Sequence, residues 1–439
     1  MVSLWDAVRS SYWFVPSIML LGAVLLSFVM IFLDETVDPQ GLTWIYINQP
    51  DGARALLATV AGSMITVAGV TFSITIVALS LASSQYGPRL LRNFMRDISN
   101  QVVLGTFVAT FMYCLLILRT VHGGEGSTFV PHLSVGLAVV LAAVSLGVLI
   151  YFIHHTAAKI QVDNLLASIG RDLEKTIAKT YPEKPFFPAG MGQEPLAPKA
   201  GLPEDFEEQA VRLRAKTNGY LQTADEGLVA LAAHHDLVFY LERQPGDFVV
   251  RGKTLLRAWP EKRLDKALLE DIASKLVIGA YRSQAQDLAF LFDQLVEVAL
   301  LALSPGVNEP YTAVLCIDRI EAALCMLAER QAPSAYRYDD EAKLRLVALP
   351  VSFSQAVLMT LAAIRRDASN SFMVTLRLLR AIETVGEFTS SEENRQVLLE
   401  EALSIRRSAQ AALGEAGDRE EVKRAYSKAV VALDLSRAK

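Results

Sequence analysis

Four long apolar stretches near the start of the chain constrain its fold more than any other feature. They cover residues 13–33, 53–81, 102–118 and 133–153, and Arg54 is the one Asp, Glu, Lys or Arg among them. Each is long enough for a helix to cross a bilayer core of about 30 Å. Because a helix satisfies its own backbone hydrogen bonds, the stretches predict an α-helical integral membrane protein with four transmembrane helices.

Charge is distributed unevenly along the chain. The first 155 residues contain six Lys and Arg and seven Asp and Glu, whereas the remaining 284 contain 36 and 40. The whole chain has a net charge of −5 and is 52 % hydrophobic. This composition excludes a purely soluble enzyme, a disordered chain and a nucleic-acid binder, which would need a basic excess.

Basic residues near the ends of the spans predict their orientation. Arg89, Arg92 and Arg96 lie between the second and third spans, and the loop after the first span is acidic instead. Because basic loops stay in the cytoplasm, both termini and the large C-terminal region are predicted to be cytoplasmic. The three arginines share one face of an amphipathic segment, which predicts contact with anionic headgroups; an arginine ring beneath a pore is the alternative.

The C-terminal region divides by composition. Residues 133–181 contain no proline, so the fourth span is predicted to continue as one helix of about 49 residues, whose part at 156–181 forms a stalk. A Pro-rich linker is predicted at 182–205. Short strands and turns predict a small α+β module at 206–260. Residues 261–439 are predicted to be a helical bundle, including a helix at 338–348.

The second span carries hydroxyl residues at heptad spacing. With the two valines that fill its gaps, this set is called the hydroxyl stripe here: Thr59, Ser63, Thr66, Val70, Ser73, Val77, Ser80 and Ser84. Intervals of four and three residues alternate throughout, which places the set on one helix face.

The stripe supports two interpretations. Copies of the helix around an axis would line a homo-oligomeric pore for an ion or small solute, with Val70 or Val77 as the constriction. Alternatively, the hydroxyls pack against the first and third spans, and the chain is a non-conducting membrane-anchored scaffold or sensor.

The soluble region offers one dense polar break, at 304–311. Asn308 is predicted to cap the next helix, with Glu309 and Pro310 in its first turn, and an exposed helix N-terminus is also an anion site in principle. We find no motif for a catalytic site, cofactor or metal, and the three cysteines form no C-x-x-C pair. The sequence therefore gives no support for an enzyme.

Several runs resemble a known family. They are ASSQYGPR at 82–89, PGDFV at 245–249, SPGVNEPYTA at 304–313, and a run that contains Arg282, Ser283, Gln286 and Asp287. On these runs the chain resembles a bacterial inner-membrane family, domain of unknown function 2254; Ser283 in place of Thr and Glu309 in place of Asp depart from its pattern. The resemblance implies four spans with a cytoplasmic domain and assigns no activity. It makes Arg282, Gln286, Asp287, Asn308 and Glu309 a candidate cytoplasmic ligand site.

Overall fold

In a computed structural model, the chain divides into two compact units, Met1–Asn164 and Leu165–Lys439. The residues described are 13–36, 49–86, 98–122, 129–159, 161–181, 201–224, 227–282, 287–330 and 333–435. Arg89, Arg92, Arg96 and Gln286 lie outside them, as does most of the predicted linker.

The first unit contains four helices that are long and apolar enough to cross a membrane. They are α1 (Phe14–Thr36), α2 (Pro50–Tyr86), α3 (Ile98–Thr120) and α4 (His132–Lys159). The four predicted spans are therefore confirmed as candidate membrane-spanning helices. At 1.5 Å per residue, α2 is about 55 Å long, which exceeds the thickness of the hydrocarbon core.

Helix α3 lies at the centre of this unit. Half of its most apolar window is buried, against 17 to 22 % for the other three helices. Leu57 of α2, Tyr113 and Ile117 of α3 and Val135 of α4 form one apolar cluster. A second cluster lies further along the same helices, around Phe107. Because α3 runs antiparallel to α2 and α4, the clusters succeed each other along the bundle.

One carboxylate ties α1 to α4. Asp34, in the last turn of α1, accepts hydrogen bonds from the backbone N–H groups of Leu133 and Ser134, at 2.8 and 3.0 Å. A carboxylate at a helix N-terminus satisfies orphan donors and is favoured by the helix dipole. The acidic segment that follows the first predicted span therefore begins with a residue that holds two helices together.

The predicted continuous helix beyond the fourth span is wrong. Helix α4 ends at Lys159, and a separate helix, α5 (Val162–Thr180), follows. The apolar face of α5, with Leu166, Ile169, Leu173 and Ile177, is buried in the second unit. Gly170 of α5 approaches the Arg319 side chain closely. The amphipathic pattern therefore marks a helix of the soluble core. This helix is separate from α4, so it can pack in the second unit.

Two small sheets of the second unit share one apolar core. The elements are α6 (Phe206–Gln209), β1 (Val211–Arg214), β2 (Gly219–Ala224), α7 (Gly227–His235), β3 (Val238–Leu241), β4 (Phe248–Val249), β5 (Thr254–Trp259), α8 (Lys266–Ser274), β6 (Leu276–Gly279), β7 (Tyr336–Tyr338) and β8 (Leu344–Val347). The strand orders are β1-β5-β3-β8-β7 and β4-β2-β6. Leu221, Phe239 and Leu256 lie in the core between the sheets and the two helices α7 and α8.

Helices form the rest of the second unit. They are α9 (Leu288–Leu303), α10 (Pro310–Glu329), α11 (Phe353–Met359), α12 (Leu361–Ala368), α13 (Phe372–Phe388), α14 (Glu392–Ala412) and α15 (Ala416–Leu435). The helical bundle is thus present, but the prediction that residues 261–439 are helical throughout is wrong at β6, β7 and β8. The predicted helix at 338–348 is a hairpin whose strand β8 pairs with β3 in parallel. The four residues Leu344–Val347 do not by themselves distinguish a strand from a helix, because the partner strand is about a hundred residues away.

Arg345 secures strand β8. Its side chain is only 5 % exposed, and it donates hydrogen bonds to Asp339 at 2.6 Å and to Asp236 at 2.7 Å. Asp339 directly follows β7, and Asp236 lies two residues before β3. This arginine therefore joins the two segments that the sheet pairs. Breaking such a buried pair leaves a carboxylate without its counter-ion.

We expect Arg345→Met to destabilise the second unit by about 3 kcal/mol, because Asp339 loses its buried counter-ion. For a unit of this size the loss corresponds to roughly 6 to 12 °C in Tm. Thermal unfolding of the purified chain in detergent measures it. Lys343→Met, on the same hairpin but in an exposed pair with Glu341, should shift Tm by less than about 3 °C. Equal shifts in the two variants would contradict this role of Arg345.

Candidate functional site

The hydroxyl stripe faces away from the chain's own helices. Thr59, Ser63, Thr66, Ser73 and Ser80 are exposed, as are both valines of the stripe. The side chain of the eighth member, Ser84, lies outside the described residues. The prediction that the stripe packs against the first and third spans of the same chain is therefore wrong for the seven members described.

The opposite face of α2 makes the internal contacts instead. Ala53, Leu57, Ala61, Ala68 and Ala78 are buried there against the other helices of the unit. Alanine lets two helix backbones approach closely, which explains why this face carries the contacts. Gly62 and Gly69, beside the stripe, have no heavy atom within 4 Å of an ideal Cβ position. The stripe and its glycines thus form one open surface.

The exposed hydroxyls already have hydrogen-bond acceptors. Four of the five donate to the backbone carbonyl one turn earlier: Thr59 to Ala55 at 2.7 Å, Ser63 to Thr59 at 2.7 Å, Thr66 to Gly62 at 2.8 Å and Ser73 to Gly69 at 2.9 Å. Such bonds let a hydroxyl residue sit in an apolar medium at little cost. The oxygen lone pairs remain available to accept hydrogen bonds from water or from another helix.

The position of hydroxyls differs between α2 and α4. In α4, Ser134, Ser145 and Thr156 are all buried, and the exposed side is made of large residues such as Val144 and Ile150. That arrangement is typical of a helix face covered by lipid, because lipid tails offer no partner to a polar group. On α2 the described hydroxyls of the stripe lie outward, although Thr71 of the same helix is buried. The two faces are therefore suited to different surroundings.

A second candidate site lies in the soluble unit, at the start of α9. Asp287 caps this helix by accepting a hydrogen bond from the backbone N–H of Phe290 at 2.8 Å. Arg282 donates two parallel hydrogen bonds to the same carboxylate, at 2.7 and 2.8 Å, and a third to Asp293. Burial raises the pKa of the Asp287 carboxyl, and the hydrogen bonds from Arg282 oppose that shift.

The turn at 244–247 closes over this carboxylate. Gly246 has a φ of +98°, and a Cβ added there would collide with the Asp287 carboxylate. The backbone N–H of Gly246 donates to Leu221 of β2 at 2.7 Å, which fixes the turn in place. Two of the runs that carry the family resemblance therefore meet here: the turn lies directly against the buried Asp287 carboxylate, which is paired with Arg282, and leaves no space for a ligand between Gly246 and that carboxylate.

Asn308 and Glu309 do not join Arg282 and Asp287. They follow the C-terminal end of α9, whereas Asp287 precedes its N-terminal end, and 16 helical residues separate the two by about 24 Å. The four described residues of the predicted ligand site, Arg282, Asp287, Asn308 and Glu309, are therefore not one site, and Gln286 lies outside the described residues. The N-cap of α10 is Glu309 and its side chain makes no capping bond, so the prediction that Asn308 caps the helix is also wrong.

Two features of this contact were missed from the sequence. Asp293, which binds the third donor of Arg282, lies within an ordinary amphipathic helix pattern. The close approach of Gly246 to Asp287 joins positions 41 residues apart in the sequence. A positive-φ glycine in a turn is a recognisable signal, but its partner is not. Within the described ranges, no group of three His, Cys, Asp or Glu could hold a metal ion.

We expect Gly246→Ala to destabilise the second unit more than Gly252→Ala does. Both glycines have positive φ, so both substitutions cost about 1 kcal/mol or more in backbone strain. An alanine at 252 would meet open space, whereas one at 246 would displace Asp287. The additional loss should be about 2 to 3 kcal/mol, because it breaks a buried ion pair. Thermal unfolding of the two variants measures the difference, and equal Tm values would contradict the contact.

Comparison with known proteins finds matches that extend over parts of both units. A family model described as "Predicted membrane protein (DUF2254)" matches residues 9–384. An uncharacterized protein of Mycobacterium bovis and one of Mycobacterium tuberculosis are each 32 % identical to this chain over 425 residues. The alignments cover 94 % of this chain and 79 % of each relative. No solved structure matches.

Proposed function

This chain belongs to the DUF2254 family of predicted membrane proteins, and we propose that it forms a homo-oligomeric, channel-like pore. In this proposal α2 of each copy faces a shared axis with its hydroxyl stripe. A bundle of four spans encloses no channel of its own when its interior is packed with side chains, so the pore requires several copies. The first unit sits in a bacterial inner membrane, and both termini and the second unit are cytoplasmic.

The outward position of the hydroxyls carries the proposal. A lipid-covered face gains nothing from hydroxyls and glycines, and α4 of the same unit has its own hydroxyls buried. A face along a water-filled axis uses the free lone pairs of the stripe. Val70 and Val77, one apolar residue every two turns, supply the rings that gate such a pore by dewetting. Because the lining is neutral, the pore would pass small ions or solutes with weak charge selectivity.

One observation favours a second candidate function. The hydroxyls bond back to their own helix, so they need no water, and the open positions at Gly62 and Gly69 suit close contact with another α2. A dry contact between two copies would make the chain a non-conducting scaffold or sensor. The second unit would then be the functional part, held at the membrane as a dimer.

Thiol modification distinguishes the two functions. Val70 and Val140 are exposed to similar extents on α2 and α4, at 54 and 51 %. In a background with Cys325→Ala, we expect a membrane-impermeant, water-soluble thiol reagent to modify Val70→Cys about ten times faster than Val140→Cys, because water reaches only the axis. Mass spectrometry of reconstituted protein measures both rates.

The alternative outcomes are equally specific. If both cysteines resist the reagent but Val70→Cys forms a disulfide between copies, the dry scaffold is correct and the pore is wrong. If Val140→Cys reacts as fast as Val70→Cys, water access does not distinguish the faces, and the proposal loses its basis.

Conductance supplies an independent test. We expect purified protein to conduct in planar bilayers and Val70→Ser to raise the open fraction several-fold, because a smaller, polar ring lowers the cost of wetting the constriction. Val140→Ser, on the face that lipid covers in this proposal, should leave conductance unchanged. Silent bilayers containing folded, oligomeric protein would overturn the pore.

A further inference from the structure

Five cations near the two sheets form no ion pair with any described residue. Between residues 210 and 224 and between residues 248 and 260 there are six Lys and Arg and no Asp or Glu, in a chain whose net charge is −5. Arg257 is neutralised by Glu207 and Glu242. Within the described part of the chain, no ion pair involves the other five: Arg212, Arg214, Lys216, Arg251 and Lys253.

Four of these cations come together at one edge of the two sheets. The end of β1 and the turn between β4 and β5 are joined by two backbone hydrogen bonds, from Ala215 to Lys253 and from Gly252 to Ala215, both 2.9 Å long. The backbone N–H of Arg251 donates to the Asn218 side chain at 2.8 Å. This edge therefore holds the two basic segments side by side in a fixed arrangement.

Exposed apolar side chains adjoin the cations. Phe248 and Val250 are 56 and 50 % exposed, whereas Val249 between them is buried in the core of the sheets. Alternation along the strand thus puts both apolar side chains on the outer face, immediately before Arg251. We name this surface the basic tip: Arg214, Lys216, Phe248, Val250, Arg251 and Lys253.

We propose that the basic tip docks on an anionic lipid surface. Lys and Arg side chains near such a surface are attracted to its negative charge, so four cations without an ion pair among the described residues give binding that salt weakens. Phe248 and Val250 add an aromatic and an aliphatic side chain that can enter the headgroup region. The membrane is favoured over an acidic protein because the same chain carries four candidate membrane-spanning helices, which keep a bilayer permanently within reach.

Quenching by spin-labelled lipid tests the proposal on the full-length chain. With Cys325→Ala as background, a fluorophore is placed at Val250→Cys or at Val431→Cys, a control of similar exposure on α15. In nanodiscs containing phosphatidylglycerol, we expect quenching about threefold stronger at 250 than at 431. It should fall to the control level in pure phosphatidylcholine or in high salt.

Charge variants complete the test. Arg251→Gln with Lys253→Gln should abolish the excess quenching at 250, whereas Arg407→Gln with Lys428→Gln, an equal loss of charge at exposed positions elsewhere in the unit, should not. Equal quenching at 250 and 431 would overturn the proposal. So would quenching at 250 that is changed neither by the phosphatidylglycerol content nor by Arg251→Gln with Lys253→Gln. Because only lipid and this chain are present, an acidic protein partner would give that negative result. The outcome is independent of conductance.

Discussion

Burial of α3 among the other membrane helices is the constraint on which the first unit depends. Each neighbour turns one face toward α3, and that choice determines which side chains remain outside. On α4 the Ser and Thr side chains are buried and large apolar side chains are exposed. On α2, alanines supply the contact surface, and the hydroxyl stripe is left outside. The functional proposal follows from this difference, because a bilayer and a water-filled or protein-filled axis favour different faces.

In the second unit, charge is used in two opposite ways. Arg282 pairs with both Asp287 and Asp293 beside the turn that contains Gly246, so these residues have a structural role. At the basic tip the cations form no ion pair with a described carboxylate, and they lie beside exposed apolar side chains. The first arrangement holds elements of the fold together. The second leaves positive charge free to bind an anionic surface. Resemblance to a family pointed to the first set, whereas only the folded arrangement distinguishes a sealed contact from an open one.

Local patterns predicted much of the fold. The four spans, the strands of the α+β region and most helices after residue 285 have their signals within a window of a few turns, and they are present. Failures occur where the deciding partner is distant. Strands β7 and β8 join β3 across about a hundred residues, and the face of α5 is apolar because the soluble core covers it. The predicted ligand site fails for the same reason, since α9 separates its residues.

The sequence by itself determined that the chain has a membrane unit and a soluble unit, because hydrophobic length and charge content are properties of the chain. It also determined that the hydroxyls of α2 share one face, because the helical period requires it. Tertiary structure alone decided that this face lies outward and that Asp287 is sealed. Both depend on which surfaces contact each other when helices and turns pack. The segments that form those contacts are distant in the sequence, so no local pattern predicts them.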